Sequence, residues 1–592
     1  MPGRRWTSLL LASCTLTLLA FASPASAVEA EVTNGSNDAV FSQNKQNEPG
    51  LAVDQGRVAR GQAPLVLAAG ANDNIDMEAC NAGDDTTCPF TPNVGGTGIS
   101  FSFDGGKTWK QPQYTGWTAR HCLGLPGPDD PECDVRQGPI GTLPRYDELG
   151  LVSDGDPALA FGPRPGANGF SWTNGSRLYV ANLTSAVSAD FRETKKPAFK
   201  GFEAIYVSRT DNAEQAAQDG AAGEAAWMLP VRVSRQSSAT FADKEQIWAD
   251  NAQSSRFFGY VYVCWADFRG AGAAPLVVAR SANGGNTWLQ RQVSPAHNVA
   301  PRHFGQSGCT VRTDSTGVAY AFYEEFQDPT KIGFPPQAVH MMVKSFNGGW
   351  SWTRPRAINR VVDPCYRLDP VINRCVMDGI AGARSDLAAA PSVDIANGAP
   401  TGADATNLIV NTWVDGRPAF NSESVMVSWS RNGGTSWSPP TAIQDAGDRG
   451  YYAAPALSPN GKQLYVVYNA FTTPFQETTA TPRVLFGVVK RANVNGTVTG
   501  WTTVHRGAPG DPRGSSQNNL QAEFLGDYVY AIATRTYGAA VWNDARNASD
   551  CPAMDAWRQS LRDGTDIPRP APQQACAPTF GNTDIFAWTN AP

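Results

Sequence analysis

Ser102-Phe103-Asp104-Gly105-Gly106-Lys107-Thr108-Trp109 is the stretch on which the fold turns, because the chain repeats it three more times. Ser281-Ala282-Asn283-Gly284-Gly285-Asn286-Thr287-Trp288 keeps the spacing. So do Ser345-Phe346-Asn347-Gly348-Gly349-Trp350-Ser351-Trp352 and Ser430-Arg431-Asn432-Gly433-Gly434-Thr435-Ser436-Trp437. Each copy reads as a hairpin turn. Asp or Asn tolerates the left-handed backbone region and bonds its own main chain, and the glycines supply positive φ. The Ser and Thr hydroxyls tie the turn, and the Trp plugs it into the sheet. A Val/Ile-rich strand precedes each copy, as at 276–279 and 425–429. Self-similarity of this kind marks a repeat architecture.

A second repeat counts the units. A turn, a short alternating strand and a second strand recur seven times. The first strands start near Asn47-Glu48-Pro49, Asp154-Gly155-Asp156-Pro157, Asp243-Lys244-Glu245, Ser307-Gly308-Cys309, Asp386, Tyr451-Tyr452 and Asn519. The second strands are expected at 65–69, 178–181, 260–265, 318–323, 408–413, 464–468 and 528–533. Degenerate turns are expected near Ser208 and near Asn495-Gly496. The fold class that follows is all-β: a seven-bladed β-propeller of four-stranded blades, with six blades as the alternative. Residues 28–46 are expected to close the ring by pairing with the last blade, and 551–580 to form a disulfide-held excursion before a strand at 585–588.

The four-copy motif resembles the Asp-box, or bacterial-neuraminidase, repeat of the sialidase superfamily. The resemblance covers the repeats from about Asn47 onward. It implies that the box is a structural turn between the third and fourth strands of a blade, and that ligands bind on the opposite face of the ring. Asp boxes also occur in non-hydrolytic propellers. Sialidases resembling this chain have six blades and an early Phe/Tyr-Arg-Ile-Pro segment. The corresponding stretch here reads Asn47-Glu48-Pro49-Gly50-Leu51-Ala52-Val53-Asp54 and lacks it, so no catalytic residue carries over position by position.

Composition agrees with a turn-rich β chain: Gly 57, Pro 43 and Trp 17 among 592 residues. The formal charge is −6, or −8 once Arg4 and Arg5 are removed with a leader. With no basic run, that excludes a nucleic-acid footprint. Arg4-Arg5, the apolar stretch 9–21 and Pro24-Ala25-Ser26-Ala27 read as an export signal cleaved after Ala27. A lipoprotein box at Leu11-Ala12-Ser13-Cys14 and a twin-arginine signal are the rival readings. Domain organisation is therefore a leader at 1–27 and a single propeller at 28–592, secreted or periplasmic, monomeric and without a membrane span. The ten remaining cysteines suggest disulfides, paired by neighbourhood as Cys80/Cys88, Cys122/Cys133, Cys264/Cys309, Cys365/Cys375 and Cys551/Cys576.

The loops before each first strand and after each second strand open on one face, and candidate chemistry is sought there. Trp265-Ala266-Asp267-Phe268-Arg269, Trp413-Val414-Asp415-Gly416-Arg417 and Trp542-Asn543-Asp544-Ala545-Arg546 form a polar repeat at the ends of the second strands. Three guanidinium groups around an axis could bind a substrate carboxylate, so Arg269, Arg417 and Arg546 with Asp267, Asp415 and Asp544 are the substrate-binding candidates. The rival reading is a local device in which each Asp pairs its own Arg and the Trp packs between blades. Non-repeated Glu324, Glu325, Asp243 and Tyr452 are the catalytic candidates, joined by the turn acids Asp154, Asp156, Glu245 and Asp386. The resemblance implies a tyrosine nucleophile, for which Tyr451, Tyr452 and Tyr537 compete. No cofactor is expected. A structural calcium ion could sit in the acidic loop 72–78, which reads more simply as a solvated loop. Insertions at 110–150 and 360–385 are expected to cap the face or form a recognition rim. Two functions follow as expectations: a sialidase-like exo-glycosidase acting on an extracellular glycan or glycoprotein, and a non-catalytic glycan- or protein-binding propeller. A lyase or glucan hydrolase would share the scaffold.

Overall fold

The structure is a computed structural model describing residues 27–591 except 81–90, 92, 124–134, 188–197, 271, 297–304, 328–336, 366, 380–382, 386 and 518. The expected leader, Asp386, Cys88 and Cys133 thus lie outside the described residues.

Seven antiparallel sheets form the ring, not six. Blade 1 is Gln46–Val53, Leu67–Asp73 and Thr97–Ser102, with a single bridge from Lys110 to Phe101 at its outer edge. Blades 2 to 6 have four strands each, and their innermost strands are Leu151–Gly166, Thr240–Ala249, Gly305–Thr313, Ser392–Ile395 and Arg449–Leu457. Blade 7 is Tyr530–Ala533, Gly538–Asp544 and Asp584–Thr589, completed on the outside by the N-terminal strand Val28–Glu31. Val28 pairs with Thr589 and Glu31 with Phe586, which closes the ring as expected. One strand differs in role. Residues 528–533, read from sequence as a second strand, supply the innermost strand Tyr530–Ala533. The segment after Asn519 is turn and coil instead.

Inner strands are apolar on both faces because each blade packs against two neighbours. In Val261-Tyr262-Val263-Cys264-Trp265 no residue exceeds 1% exposure. The seams admit large rings only where the opposing backbone is bare. A Cβ on Gly487 would lie 2.2 Å from Trp542 Nε1.

The four repeated turns have the bonding their residues imply. Asp104 Oδ1 accepts from the Lys107 and Thr108 amides at 2.9 and 3.0 Å, and Ser102 Oγ accepts from the Gly106 amide at 2.8 Å. Asn283, Asn347 and Asn432 hold Thr287, Ser351 and Ser436 in the same way. Asn495-Gly496 makes a tight hairpin between Leu485–Asn495 and Thr497–Arg506. No such turn follows Ser208. Two short helices, Ala213–Ala216 and Gly220–Glu224, fill that connection.

Disulfides join Cys264 to Cys309, Cys365 to Cys375 and Cys551 to Cys576. The first staples blade 3 to blade 4. Cys80 and Cys122 are also disulfide-bonded. The loop 72–78 is buried scaffold and not solvated. Asp73 and Asp76 are fully buried. Asp76 accepts from Arg120, Gly141 and Thr142, and Asp73 from Gln46 and the Ile75 amide. Among the described residues no helix is long and apolar enough to cross a membrane.

Candidate functional site

The innermost strands share a backbone device that their side chains conceal. Each of blades 1, 2, 3, 4 and 6 carries a register shift near the start of that strand. At each shift one residue is left-handed: Glu48 (φ 56°), Asp156 (52°), Lys244 (57°), Gly308 (61°) and Tyr452 (51°). A left-handed non-glycine residue costs about 1–2 kcal/mol, and such strain clusters at functional sites. The four non-glycine members converge at one end of the axis.

Lys244 is the hub. Its Nζ lies 2.9 Å from Asp527 Oδ2, 3.1 Å from Asp156 Oδ2 and 3.7 Å from Glu48 Oε1. It also sits 5.0 Å from the centre of the Tyr528 ring. Arg384, from the connection between blades 4 and 5, donates to Asp527 Oδ2 at 3.0 Å. The Tyr452 hydroxyl donates to Asp527 Oδ1 at 2.8 Å, and that of Tyr528 to Asp156 Oδ2 at 3.2 Å. Asn72 Nδ2 reaches Glu48 Oε2 at 2.5 Å and Asp156 Oδ1 at 3.4 Å. Gly155 makes room for Asn72, since a Cβ there would stand 2.5 Å from Asn72 Oδ1.

Crowding sorts these acids into opposite states. Burial and then the neighbouring Asp156 push the Glu48 carboxyl well above the usual range. Asp156 and Asp527 fall below it: burial opposes ionisation, but Lys244 at Asp156, and Arg384 with Lys244 at Asp527, outweigh it. Of this hydrogen-bonded pair, Glu48 is pushed toward keeping a proton and Asp156 toward losing it. Pairs driven apart in this way are how proteins set up an acid and a base together. Asp243 is raised to about 6, chiefly by burial. Glu203 is raised to about 9 by burial and then by Asp154. Glu245 lines the chamber, and neither of its buried oxygens bonds a group outside its own residue.

The chamber has a volume of 80 Å³ and is walled by Asp156, Lys244, Glu245, Tyr452, Asp527 and Tyr528 among others. A second axial space, also 80 Å³, lies beyond it around Arg312 and Asp394. Tyr530 borders both. The far end is barred by the 396–407 loop of blade 5. Asn397 Nδ2 donates to Asn251 of blade 3 at 2.8 Å, and Trp172 of blade 2 donates to the Pro400 carbonyl at 3.3 Å. Arg535 of blade 7 holds the Ala399 and Gly398 carbonyls at 2.6 and 2.9 Å. A loop that touches blades 2, 3 and 7 from blade 5 must cross the axis, so the channel is blind.

Of the sequence candidates, Asp243, Tyr452, Asp156 and Glu245 come together here. Others do not. Arg269, Arg417 and Arg546 each pair with the Asp two residues before them. Arg269 then reaches Gln292, Arg417 the Arg360 carbonyl and Arg546 Glu29, all on outermost strands. Their guanidinium groups point to the rim and form no cluster at the axis. Trp413 and Trp542 donate to Asp415 Oδ2 and Asp544 Oδ2 at 3.0 and 2.9 Å, so the repeat is a local brace. Glu324 and Glu325 lie on the second strand of blade 4, outside the chamber wall. Glu325 Oε2 accepts from Gln306 at 3.1 Å. Tyr451 is fully buried and donates to the Gly526 carbonyl. Tyr537 is buried in the turn at the other end of blade 7. Sequence reasoning did not single out Glu48, Lys244, Asp527 or Tyr528. Of the expected caps, 360–385 does reach the site, through Arg384.

No family model and no curated protein matches the sequence. Solved structures overlap it loosely. A protein of unknown function from Dyadobacter fermentans DSM 18053 aligns with 73% of this chain and 93% of its own, at 9% identity and a TM-score of 0.36. Trypanosoma rangeli sialidase bound to the inhibitor DANA aligns over 77% and 57%, at 11% identity and 0.36. Penicillium chrysogenum alpha-L-arabinanase complexed with arabinobiose aligns over 51% and 74%, at 12% identity and 0.30. Likeness at this level transfers no chemistry, and the functional reading rests on the axial geometry.

Proposed function

We propose that the protein is an exported, monomeric, exo-acting glycoside hydrolase that works on the ends of extracellular glycans, with its acid and base at Glu48 and Asp156. The observation that carries this is the set of left-handed residues that brings the carboxyls of Glu48 and Asp156 together beside Lys244, with their pKa values driven in opposite directions. In the proposed step the hydrogen-bonded Glu48–Asp156 pair acts as one acid–base unit sharing a proton, with Asp156 the member in the chamber wall. It gives that proton to the glycosidic oxygen as the C–O bond breaks and recovers one from the water whose oxygen adds to the anomeric carbon. A channel with the 396–407 loop across its far end receives the end of a chain and not its middle, hence the exo assignment. The disulfides fit an oxidising compartment. A sialidase-type variant is favoured by one feature, the Tyr452–Asp527 pair, which matches a tyrosine nucleophile beside an acid. The rim placement of Arg269, Arg417 and Arg546 counts against it.

The test is a panel of fluorogenic glycosides, a sialoside among them, run on the wild type beside Glu48→Gln and Asp156→Asn. Glutamine keeps the shape of Glu48 and removes its acidic proton. Turnover that falls about 100-fold or more in Glu48→Gln supports the reading. Turnover indifferent to both substitutions would move the chemistry elsewhere. A silent panel together with glycan-array binding that Glu48→Gln leaves intact would replace it with a binding module.

A further inference from the structure

The seam that closes the ring carries a second acidic site, remote from the axis. Glu31 ends the N-terminal strand, Asp38 lies in the loop that follows, and Asp584 opens the third strand of blade 7. One carboxylate oxygen from each lies within 4.8 Å of the other two. Among the described residues none of the three takes part in an ion pair. The nearest cation, Arg546, is already engaged: its Nη2 lies 2.7 Å from Asp544 Oδ2, and its Nη1 binds Glu29. Asp584 is 1% exposed. Its Oδ2 accepts from Asn547 Nδ2 at 2.8 Å, while its Oδ1 is buried without any hydrogen-bonding partner. A buried carboxylate oxygen with no donor, facing two more acids, lacks a positive charge.

We infer that Glu31, Asp38 and Asp584 form a calcium site that clamps the N-terminal segment to the last blade. The ligand set is all oxygen, which suits a hard cation. Calcium holds its ligands at about 2.3–2.6 Å, so oxygens on opposite sides of one ion stand about 4.6–5.2 Å apart. Three oxygens that all lie within 4.8 Å of one another can share one such ion. The three residues offer at most six oxygens, and water can complete the shell of an ion that takes six to eight. The ligands come from residues 31, 38 and 584, so the ion bridges both ends of the chain at the one seam no loop connects.

The experiment is calorimetric titration of CaCl2 into chelator-treated full-length protein, with thermal unfolding followed in parallel. One equivalent should bind, and Tm should rise with calcium and fall back with EDTA. Asp38→Ala removes an exposed ligand that the fold does not need, and Asp584→Asn removes the buried one with little change of shape. Each should weaken calcium binding on the order of tenfold or more and abolish the calcium-dependent part of the Tm. Wild-type protein that binds no calcium at millimolar concentration would overturn the proposal. So would binding that persists unchanged in well-folded Asp38→Ala.

Discussion

Lys244→Met is the sharpest perturbation of the axial cluster. The side chain is 11% exposed and has Asp527 and Asp156 within 2.9 and 3.1 Å. Methionine keeps much of its length and none of its charge. Two ionised carboxylates are then left in a buried chamber with Arg384, and Arg374 farther off, to offset them. Removing one partner of a buried ion pair costs about 3–5 kcal/mol, most of it the penalty on the charge left behind. At about 2.1 cal/mol/K per residue, a ring of this length unfolding as one unit has an unfolding entropy near 1.2 kcal/mol/K. The expected fall in Tm is therefore about 2.5–4 °C at pH 7. The deficit should depend on pH. Asp156 and Asp527 sit below the usual carboxylate range and Lys244 above the usual lysine range. Their mutual stabilisation is full between those ranges, fades as pH falls through the folded carboxylate pKa values, and fades again as pH rises through that of Lys244. Scanning calorimetry at fixed scan rate, from pH 3 to pH 8, should show the deficit of Lys244→Met narrowing at the acid end without closing, because the folded carboxylates titrate below that range. Adding Asp156→Asn to the variant should recover part of the loss. A variant as stable as the wild type at pH 7, or a deficit that ignores pH, refutes the claim that Lys244 balances the cluster.

Three further outcomes can be measured. Replacing Cys264 and Cys309 by alanine opens a 45-residue loop and should cost about 4 kcal/mol on the chain-entropy estimate, read from guanidinium midpoints; an unchanged midpoint would mean that the strand packing holds blades 3 and 4 together unaided. Gly487→Ala places a Cβ 2.2 Å from Trp542 Nε1 and should destabilise by about 1–3 kcal/mol through overpacking, whereas a neutral result would show that the seam yields. His340 is fully buried between the Ala389 carbonyl and Asn411, and burial, with Arg417 adding to it, lowers its pKa to about 4. Its folded pKa lies below the unfolded one, so up to about 3 kcal/mol of stability, present above pH 6.5, is lost as pH falls toward 4. His340→Gln should flatten the Tm-versus-pH curve in that window, and an identical curve would show that His340 does not titrate there.

The ring was legible in the sequence and the axial chemistry was not, for one physical reason. A turn such as 102–109 is held by its own side chains, so Ser, Asp, Gly and Thr must recur wherever the turn recurs. The Trp-x-Asp-x-Arg brace is local too, and it also leaves a repeated string. The axial cluster depends on the repeat of a backbone conformation. A left-handed bulge accepts Glu48, Asp156, Lys244, Gly308 or Tyr452 alike at a modest cost in strain. Five residue types in equivalent positions make no motif. Asp527 and Arg384 were hidden differently, since each lies in a connection whose course only the folded ring determines. The misassigned strand at 528–533 has a similar origin. Blade 7 is built from both ends of the chain, so counting strands from Asn519 placed it one position too far out. Glu324-Glu325 misled for the opposite reason. They stand out because they break the repeat, but both sit on a second strand, outside the chamber wall.

The loop that bars the far end of the axis also sets the order of traffic. Anything that enters the chamber must leave past the residues it met on the way in. Arrival and departure form one queue, and an occupant blocks its successor until it goes. Protons obey the same restriction, because water reaches Glu48 and Asp156 from one side alone. Shortening 396–407 would change the topology of the hole without touching a residue of the cluster, turning a dead end into a passage.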